Sequence, residues 1–249
     1  MKKDPSLLGV LGGLGPMSTF YFCELLTAHT KASTDADHID MMVSSRASTP
    51  DRTAFILGNS QDDPLPAMRE EAERLARAGC DLIVIPCNTA HYFYDGLCQS
   101  LQTPMLNIIE ETVLQLKRLG VRTFGLLATE GTVKSGAYLQ ICEKHGLCCL
   151  TPSEEEQNVI SSIIYDQIKQ NRPVDLSALL RVANSLCARG CERIVLGCTE
   201  LSILKKELAD NPIFLDSLEV LAFRTILAFQ KTPIGFSSDL TDATEGALL

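Results

Sequence analysis

The chain has 249 residues, 45% hydrophobic and 21% charged, which fits a soluble globular protein with a core of its own in one large domain or two small ones. Its formal net charge of -9 argues against a nucleic-acid partner and leaves any anionic ligand to be held by local cations. No stretch of eighteen apolar residues offers a membrane span and the first residues lack an apolar signal core, so a cytoplasmic protein with no membrane partner is expected.

Along the chain, short apolar runs alternate with longer helical patterns, as in βαβ units around a parallel sheet. Residues 7–11 read as a strand, followed by the turn Gly12-Gly13-Leu14-Gly15-Pro16 and a helix over 17–31. A strand at 39–44, a helix at 63–78 and a central strand at 81–85 come next. A loop with a short helix over 89–100, a strand at 105–108 and a helix to 119 complete the first half. The second half restarts with a strand at 122–127, a turn at 129–132 and a helix through about 144. Helices at 153–170, opened by a capping box from Ser153 to Glu156, and at 176–188 lead to a strand at 193–196. A short strand at 212–215 and a helix at 217–229 close the pattern. The polar tail after Lys231 is expected to be poorly ordered.

One motif occurs twice. Gly79-Cys80-Asp81 and Gly190-Cys191-Glu192 each precede an apolar run that ends in a second cysteine, Cys87 or Cys198, eight residues after the glycine. The glycine spacing of Gly9–Gly15 recurs in Gly125–Gly131, so the duplication spans nearly the whole chain. The expected architecture is α/β: two pseudo-symmetric parallel-sheet domains with the active site in the cleft between them. The first covers 1–115 and is rejoined by the helix at about 216–231; the second covers 116–215; a tail occupies 232–249. Ligands of open parallel sheets lie beyond the carboxyl ends of the strands, where Cys87 and Cys198 fall.

A thiol at a strand end meets free backbone N–H groups, which lower its pKa and also attract carboxylates. Two thiols facing one cleft suit a two-base proton transfer, one removing an α-proton and the other supplying one, with no cofactor required. The remaining cysteines read as buried small hydrophobes, Cys80 and Cys191 among them, and no C-x-x-C pair suggests a disulfide framework or a bound metal. The glycine turn matches neither G-x-G-x-x-G nor a P-loop and suits close approach of backbone to a small ligand. Arg52 is either a bidentate carboxylate clamp or a solvated surface arginine, with Arg46 a competitor. Lys169 is a ligand cation or a helix-end charge. Glu200 either orients a ligand ammonium or caps the next helix, and His91 either supports the site from behind or, as favoured, is a satisfied surface histidine.

Pro86-Cys87-Asn88-Thr89-Ala90-His91 and Gly197-Cys198-Thr199-Glu200-Leu201 resemble the two signatures of the aspartate/glutamate racemase superfamily. Gly12-Gly13-Leu14-Gly15-Pro16 and Pro50-Asp51-Arg52-Thr53 resemble marks of its aspartate racemase branch, and the likeness covers roughly residues 6–230. Glutamate racemases open on an Asp-Ser-Gly turn and carry Thr-His after the second cysteine, where this chain has Gly-Gly-Leu-Gly and Thr199-Glu200. The resemblance implies pyridoxal-independent racemisation, a homodimer, and an acidic amino acid, aspartate, as substrate. It makes Cys87 and Cys198 the acid/base pair. Asn88, Thr89 and Thr199 would hold the α-carboxylate region, and Arg52 and Lys169 the side-chain carboxylate. Leu14, where the branch carries Met, would lie beside the pocket. Glutamate or broad amino-acid racemisation, or cis-trans isomerisation of an unsaturated diacid, are the alternatives on this scaffold; a non-catalytic amino-acid-binding role is disfavoured by the intact cysteine pair.

Overall fold

A computed structural model of the chain describes residues 5–205, 207–208 and 211–241. Among these residues, eight strands make two four-stranded parallel sheets of identical order. In the first, β1 (Leu7–Gly12) and β3 (Leu82–Val84) lie between β2 (Asp40–Ser45) and β4 (Met105–Leu106), in the order β2-β1-β3-β4. In the second, β5 (Thr123–Leu127) and β7 (Arg193–Leu196) lie between β6 (Cys148–Leu150) and β8 (Phe214–Asp216), in the order β6-β5-β7-β8. Val10 pairs with Val84 in one sheet and Leu126 with Val195 in the other, so β3 and β7 hold matching central places. All three residues of β3 and the last three of β7 are buried, as expected of strands covered on both faces by helices.

The helices of the first half are α1 (Pro16–His29), α2 (Arg52–Ile56), α3 (Leu65–Arg77), α4 (Tyr94–Cys98) and α5 (Ile108–Arg118). Those of the second are α6 (Glu130–Lys134), α7 (Ala137–His145), α8 (Glu154–Ser162), α9 (Leu176–Ala188) and α10 (Thr199–Ser202), followed by α11 (Ser217–Ala228) and α12 (Ser238–Thr241). Each sheet has its own apolar layer: Met68, Leu75 and Ile83 beneath α3, and Leu179, Leu186 and Ile194 beneath α9. A third cluster lies between the sheets and joins Val10 to Phe124 through Phe22, Tyr138, Leu218 and Phe223. Helix α11 packs on α1 and α5 and buries Leu218, Leu221, Phe223 and Ile226 almost completely. At about 1.5–3 kcal/mol for each large apolar side chain, that helix braces one half against the other.

The structure departs from the sequence expectations in five places. The single helix expected to run to about residue 144 is broken, because Gly136 takes a left-handed φ of 70° and ends α6 before α7 begins. Strand β6, which extends the second sheet beside β5, has three residues, too few to show a period. Helix α2 was hidden in an expected loop and is started by the Asp51 carboxylate, which accepts the Ala54 N–H at 2.8 Å. The helix from Ser153 has its capping box but widens into a π-helix over Ile163–Ile168. Finally, residues 232–241 are packed rather than loose: Pro233 bridges Thr30, Phe236 meets Phe223 edge-on and Leu240 is buried. These apolar residues anchor a segment whose composition is otherwise polar; 242–249 lie outside the described residues. Among the described residues, no helix is long and apolar enough to cross a membrane.

Candidate active site

Each sheet delivers one cysteine from a central strand. Two residues bring the chain from β3 to Pro86 and then Cys87, and Gly197 alone separates β7 from Cys198. A 3₁₀ turn over Thr89–Phe93 follows the first thiol and α10 follows the second. Around them one cavity gathers Leu14, Arg52, Cys87, Asn88, Thr89, Lys169, Cys198, Thr199 and Glu200, while Arg46 and His91 stay outside it. Asp51, Thr53, Thr129 and Tyr165 complete its wall. Both halves therefore build the same cleft. The side chains pack closely around it and leave about 10 Å³ open, room for about one water. Cys80 and Cys191 are buried at the opposite ends of the strands, away from this cavity.

The cations are held firmly. Arg52 opens α2, and its Nη1 donates to the carbonyls of Pro50 at 2.9 Å and Thr49 at 3.3 Å, while Nη2 donates to Leu14 O at 2.9 Å. Three carbonyls thus fix the guanidinium plane and leave one Nη2 hydrogen and the Nε–H uncommitted. Arg46 is turned away and pairs with Glu70 at 2.6 Å and Glu71 at 3.2 Å. Lys169 follows the π-helix directly, and its ammonium stands 4.7 Å over the Tyr165 ring and 3.7 Å from Glu200 Oε1. The π-turn is the local device that brings Tyr165 and Lys169 to the cleft; such widened turns recur at functional sites. Burial works against the Lys169 charge, yet Glu200, followed by Cys198, Tyr165 and Cys87, holds it above the ordinary lysine value. Tyr165 also donates to Thr53 Oγ1 at 2.9 Å, tying the second half to α2 of the first.

The two thiols sit in different fields. Burial raises both above the ordinary cysteine value. At Cys87 the Arg52 guanidinium opposes that rise most strongly, Glu200 adds to it, and the Ala90 N–H and Lys169 help to lower it. At Cys198 the neighbouring carboxylate adds to it, since Sγ donates to Glu200 Oε2 at 3.0 Å. Cys87 is accordingly the easier of the two to ionise, while both thiols are held above the ordinary cysteine value. Gly15 makes room for this arrangement: a Cβ there would stand 2.6 Å from Glu200 Oε1. The glycine turn thus admits a carboxylate side chain from the other half.

Polar side chains near Cys87 are heavily engaged. Asn88 donates from Nδ2 to Ser217 Oγ at 2.9 Å and accepts from Tyr138 at 2.8 Å, leaving one amide hydrogen for the cleft. Thr89 Oγ1 lies 2.9 Å from Thr129 Oγ1 and 2.8 Å from Thr132 Oγ1, a hydroxyl cluster that crosses between the halves. His91 is buried and lies behind the site. The Ile108 N–H can only donate, so Nε2 accepts it at 3.2 Å and Nδ1 carries the proton given to Cys87 O at 2.8 Å. Burial pulls this ring down to about 4, and its neutral tautomer fixes the carbonyl of the cysteine itself. The expected surface position of His91 is corrected: the ring is buried, and its partners are the cysteine carbonyl and a helix-start N–H rather than solvent. Sequence reasoning missed Thr129 and Tyr165; Thr129 stands in the second half's copy of the glycine turn, the one signal that marked it.

The chain matches the Asp/Glu/hydantoin racemase family over residues 11–224. It is 28% identical over 234 residues to the broad-specificity amino-acid racemase RacX of Bacillus subtilis, a match spanning 90% of this chain and 100% of that protein. A glutamate racemase of Aquifex aeolicus is 27% identical over 161 residues, 61% of this chain and 58% of its own. Among solved structures, the aspartate racemase of Picrophilus torridus is similar with a TM-score of 0.81 at 28% identity, covering 95% of this chain and 98% of that one. With two like-ordered sheets and a cleft between them, the chain belongs to the Asp/Glu/hydantoin racemase family and is an amino-acid racemase, an isomerase.

Proposed function

We propose that the protein interconverts L- and D-aspartate by a two-cysteine acid/base mechanism that needs no pyridoxal phosphate. The observation that carries this reading is the placement of Cys87 and Cys198, from opposite halves, in one buried cleft flanked by Arg52 and Lys169. Arg52, preorganised by three carbonyls, and Lys169 hold the side-chain carboxylate of the substrate. The remaining Asn88 amide hydrogen, with Thr89, Thr199 and the N–H groups of the cysteine turns, holds the α-carboxylate. Glu200 faces the substrate ammonium.

In one direction the Cys87 thiolate removes the Cα proton, breaking the C–H bond and leaving its electron pair on the substrate as a planar carbanion. Donors at the α-carboxylate stabilise that charge in a cleft with little water. The Cys198 thiol then delivers its proton to the opposite face, becoming the thiolate, and the enantiomer is formed. The reverse reaction exchanges the roles. Because the two groups share one cleft, their titration belongs to the pair.

The likeness to the Bacillus subtilis racemase of broad specificity supports a wider substrate range as the second reading. The two cations favour the acidic substrate. Proton NMR of L- and D-aspartate, glutamate and neutral amino acids in D₂O, with reductant and without pyridoxal phosphate, ranks them. Loss of the Cα–H signal with chiral interconversion is expected first for aspartate. Equal rates for neutral amino acids would establish the broad reading, and exchange with no amino acid would overturn both in favour of a diacid isomerase or a binding protein.

A further inference from the structure

A hydrogen-bonded path that plays no part in the proposed proton transfer joins the two cysteine turns from behind. Asp216 ends β8 and is buried, and its Oδ1 accepts from Ser202 Oγ at 2.6 Å and from the Leu218 N–H at 2.8 Å. Ser202 is the fourth residue after Cys198 and the last of α10. Its neighbour Ser217, fully buried, accepts from Asn88 Nδ2 at 2.9 Å and donates to the Leu196 carbonyl at 2.7 Å. Asn88 directly follows Cys87, and Leu196 is two residues before Cys198. Two adjacent side chains therefore grip both cysteine turns, one on each side of the cleft.

The first half contains the same fastening in different chemistry. His91 is the fourth residue after Cys87, and it accepts the Ile108 N–H at the start of α5, whose cap is Asn107. So the fourth residue after each cysteine is tied to the head of the helix that follows the outer strand of its own sheet. Only the second half adds the cross-tie through Ser217. Among the described residues Asp216 Oδ2 is buried with no hydrogen-bond partner, beside a cavity of about 380 Å³ lined by Lys205 and Glu219. An unpaired buried oxygen is costly. Asparagine would cap the helix equally well, as Asn107 does for α5, so capping alone does not explain the carboxyl.

We propose that Asp216 and Ser217 are positioning residues for racemisation, a clasp that sets the separation and aim of the two cysteine turns. This inference rests on the two-cysteine reading above. It is tested with Ser217→Ala, Ser202→Ala and the double variant, each assayed with both enantiomers of aspartate and melted at the assay pH. Misplacement of reacting groups costs up to about 10²-fold, so Ser217→Ala is expected to lower kcat about 10- to 100-fold in both directions, with KM within about 3-fold. Ser202→Ala is expected to show a smaller loss of the same kind. The double variant loses less than the product of the two, because both act through one clasp.

A second readout needs no substrate: the rates at which iodoacetamide alkylates Cys87 and Cys198, followed by peptide mass spectrometry with exposed Cys98 as internal reference. Both rates should move in Ser217→Ala while that of Cys98 stays constant. Shifted alkylation in a protein whose wild type fails to racemise aspartate would leave the clasp standing and overturn the substrate reading. Unchanged alkylation and kcat in folded Ser217→Ala, or a double variant whose losses simply multiply, would overturn the clasp. If Ser217→Ala does not fold, Ser202→Ala decides by the same two readouts at Cys198.

Discussion

The two cysteine turns occupy equivalent places in equivalent sheets, yet their surroundings differ at every step. One residue beyond the cysteine stands Asn88 or Thr199, two beyond stands Thr89 or Glu200, and four beyond stands His91 or Ser202. The residue two beyond reaches across the cleft in both halves, but to different ends. Thr89 joins a neutral hydroxyl cluster with Thr129 and Thr132, whereas Glu200 lies against Gly15 and bonds the Cys198 thiol. A duplicated frame thus delivers two thiols of like geometry and unlike proton affinity. For a reaction that needs one base and one acid, that inequality is useful.

Removing either thiol is the severest way to break this comparison. Cys87→Ala and Cys198→Ala should each reduce racemisation by more than about 10³-fold, measured by chiral chromatography. Their residual chemistry should differ. Cys198→Ala keeps the more readily ionised thiol and should still exchange the Cα hydrogen of one enantiomer into D₂O without inverting it. Cys87→Ala should exchange far more slowly. Equal exchange in the two variants would remove the inequality.

Next in size is Arg52→Ala. Losing one partner of a buried charged contact costs about 2–5 kcal/mol, so the KM for aspartate should rise about 30-fold or more, with a smaller change for a neutral amino acid if the second reading holds. Glu200→Gln removes the carboxylate that raises Cys198, so the pH at which iodoacetamide alkylates Cys198 should fall while that of Cys87 moves less. An unmoved Cys198 profile would show that burial alone holds this thiol neutral.

The clearest effects on stability come from the two fastenings behind the cysteines. His91 is pulled down to about 4 by burial, so the unfolded chain takes a proton near 6.5 that the native ring refuses. Its contribution is complete above that pH and is lost as pH falls towards 4, on the order of 3 kcal/mol in all. Asp216 is pushed up to about 7, first by burial and then by Glu219, so its native carboxyl keeps a proton that the unfolded chain releases near 3.8. Its contribution has the opposite sign: present below about 4 and lost as pH rises through 7. Through this shared window the two slopes oppose each other. Chemical denaturation from pH 4 to 7 should therefore give stability rising with pH in Asp216→Asn and falling in His91→Gln relative to wild type. Parallel curves in all three proteins would refute the opposition.

Much of this was legible in the amino-acid sequence because it repeats. The paired apolar runs and the matching cysteines fixed strand ends on two sheets, and the Ser153 capping box marked the start of α8. What escaped notice lacks a pattern of its own. β6 is three residues long, Gly136 breaks a helix that was otherwise continuous in pattern, and a π-turn leaves no periodic trace. Thr129, Tyr165, Ser202 and Ser217 are ordinary side chains whose partners lie far away in sequence, as the 129 residues between Asn88 and Ser217 show. Comparing the two halves position by position, rather than the cysteines alone, would have pointed to Ser202 opposite His91.

The closeness of the cleft also shapes how the catalyst recovers between turnovers. With room for about one water among its lining side chains, sulfur-bound hydrogens are shielded from bulk solvent until the walls part. Under the two-cysteine mechanism proposed above, a completed conversion in one direction would leave Cys87 protonated and Cys198 ionised, a form primed to run backwards. On that mechanism Glu200, which raises the Cys198 thiol, would disfavour the form with Cys198 ionised. The proposed mechanism thus predicts a catalyst that carries an imprint of its last product in which of its two thiols holds the proton.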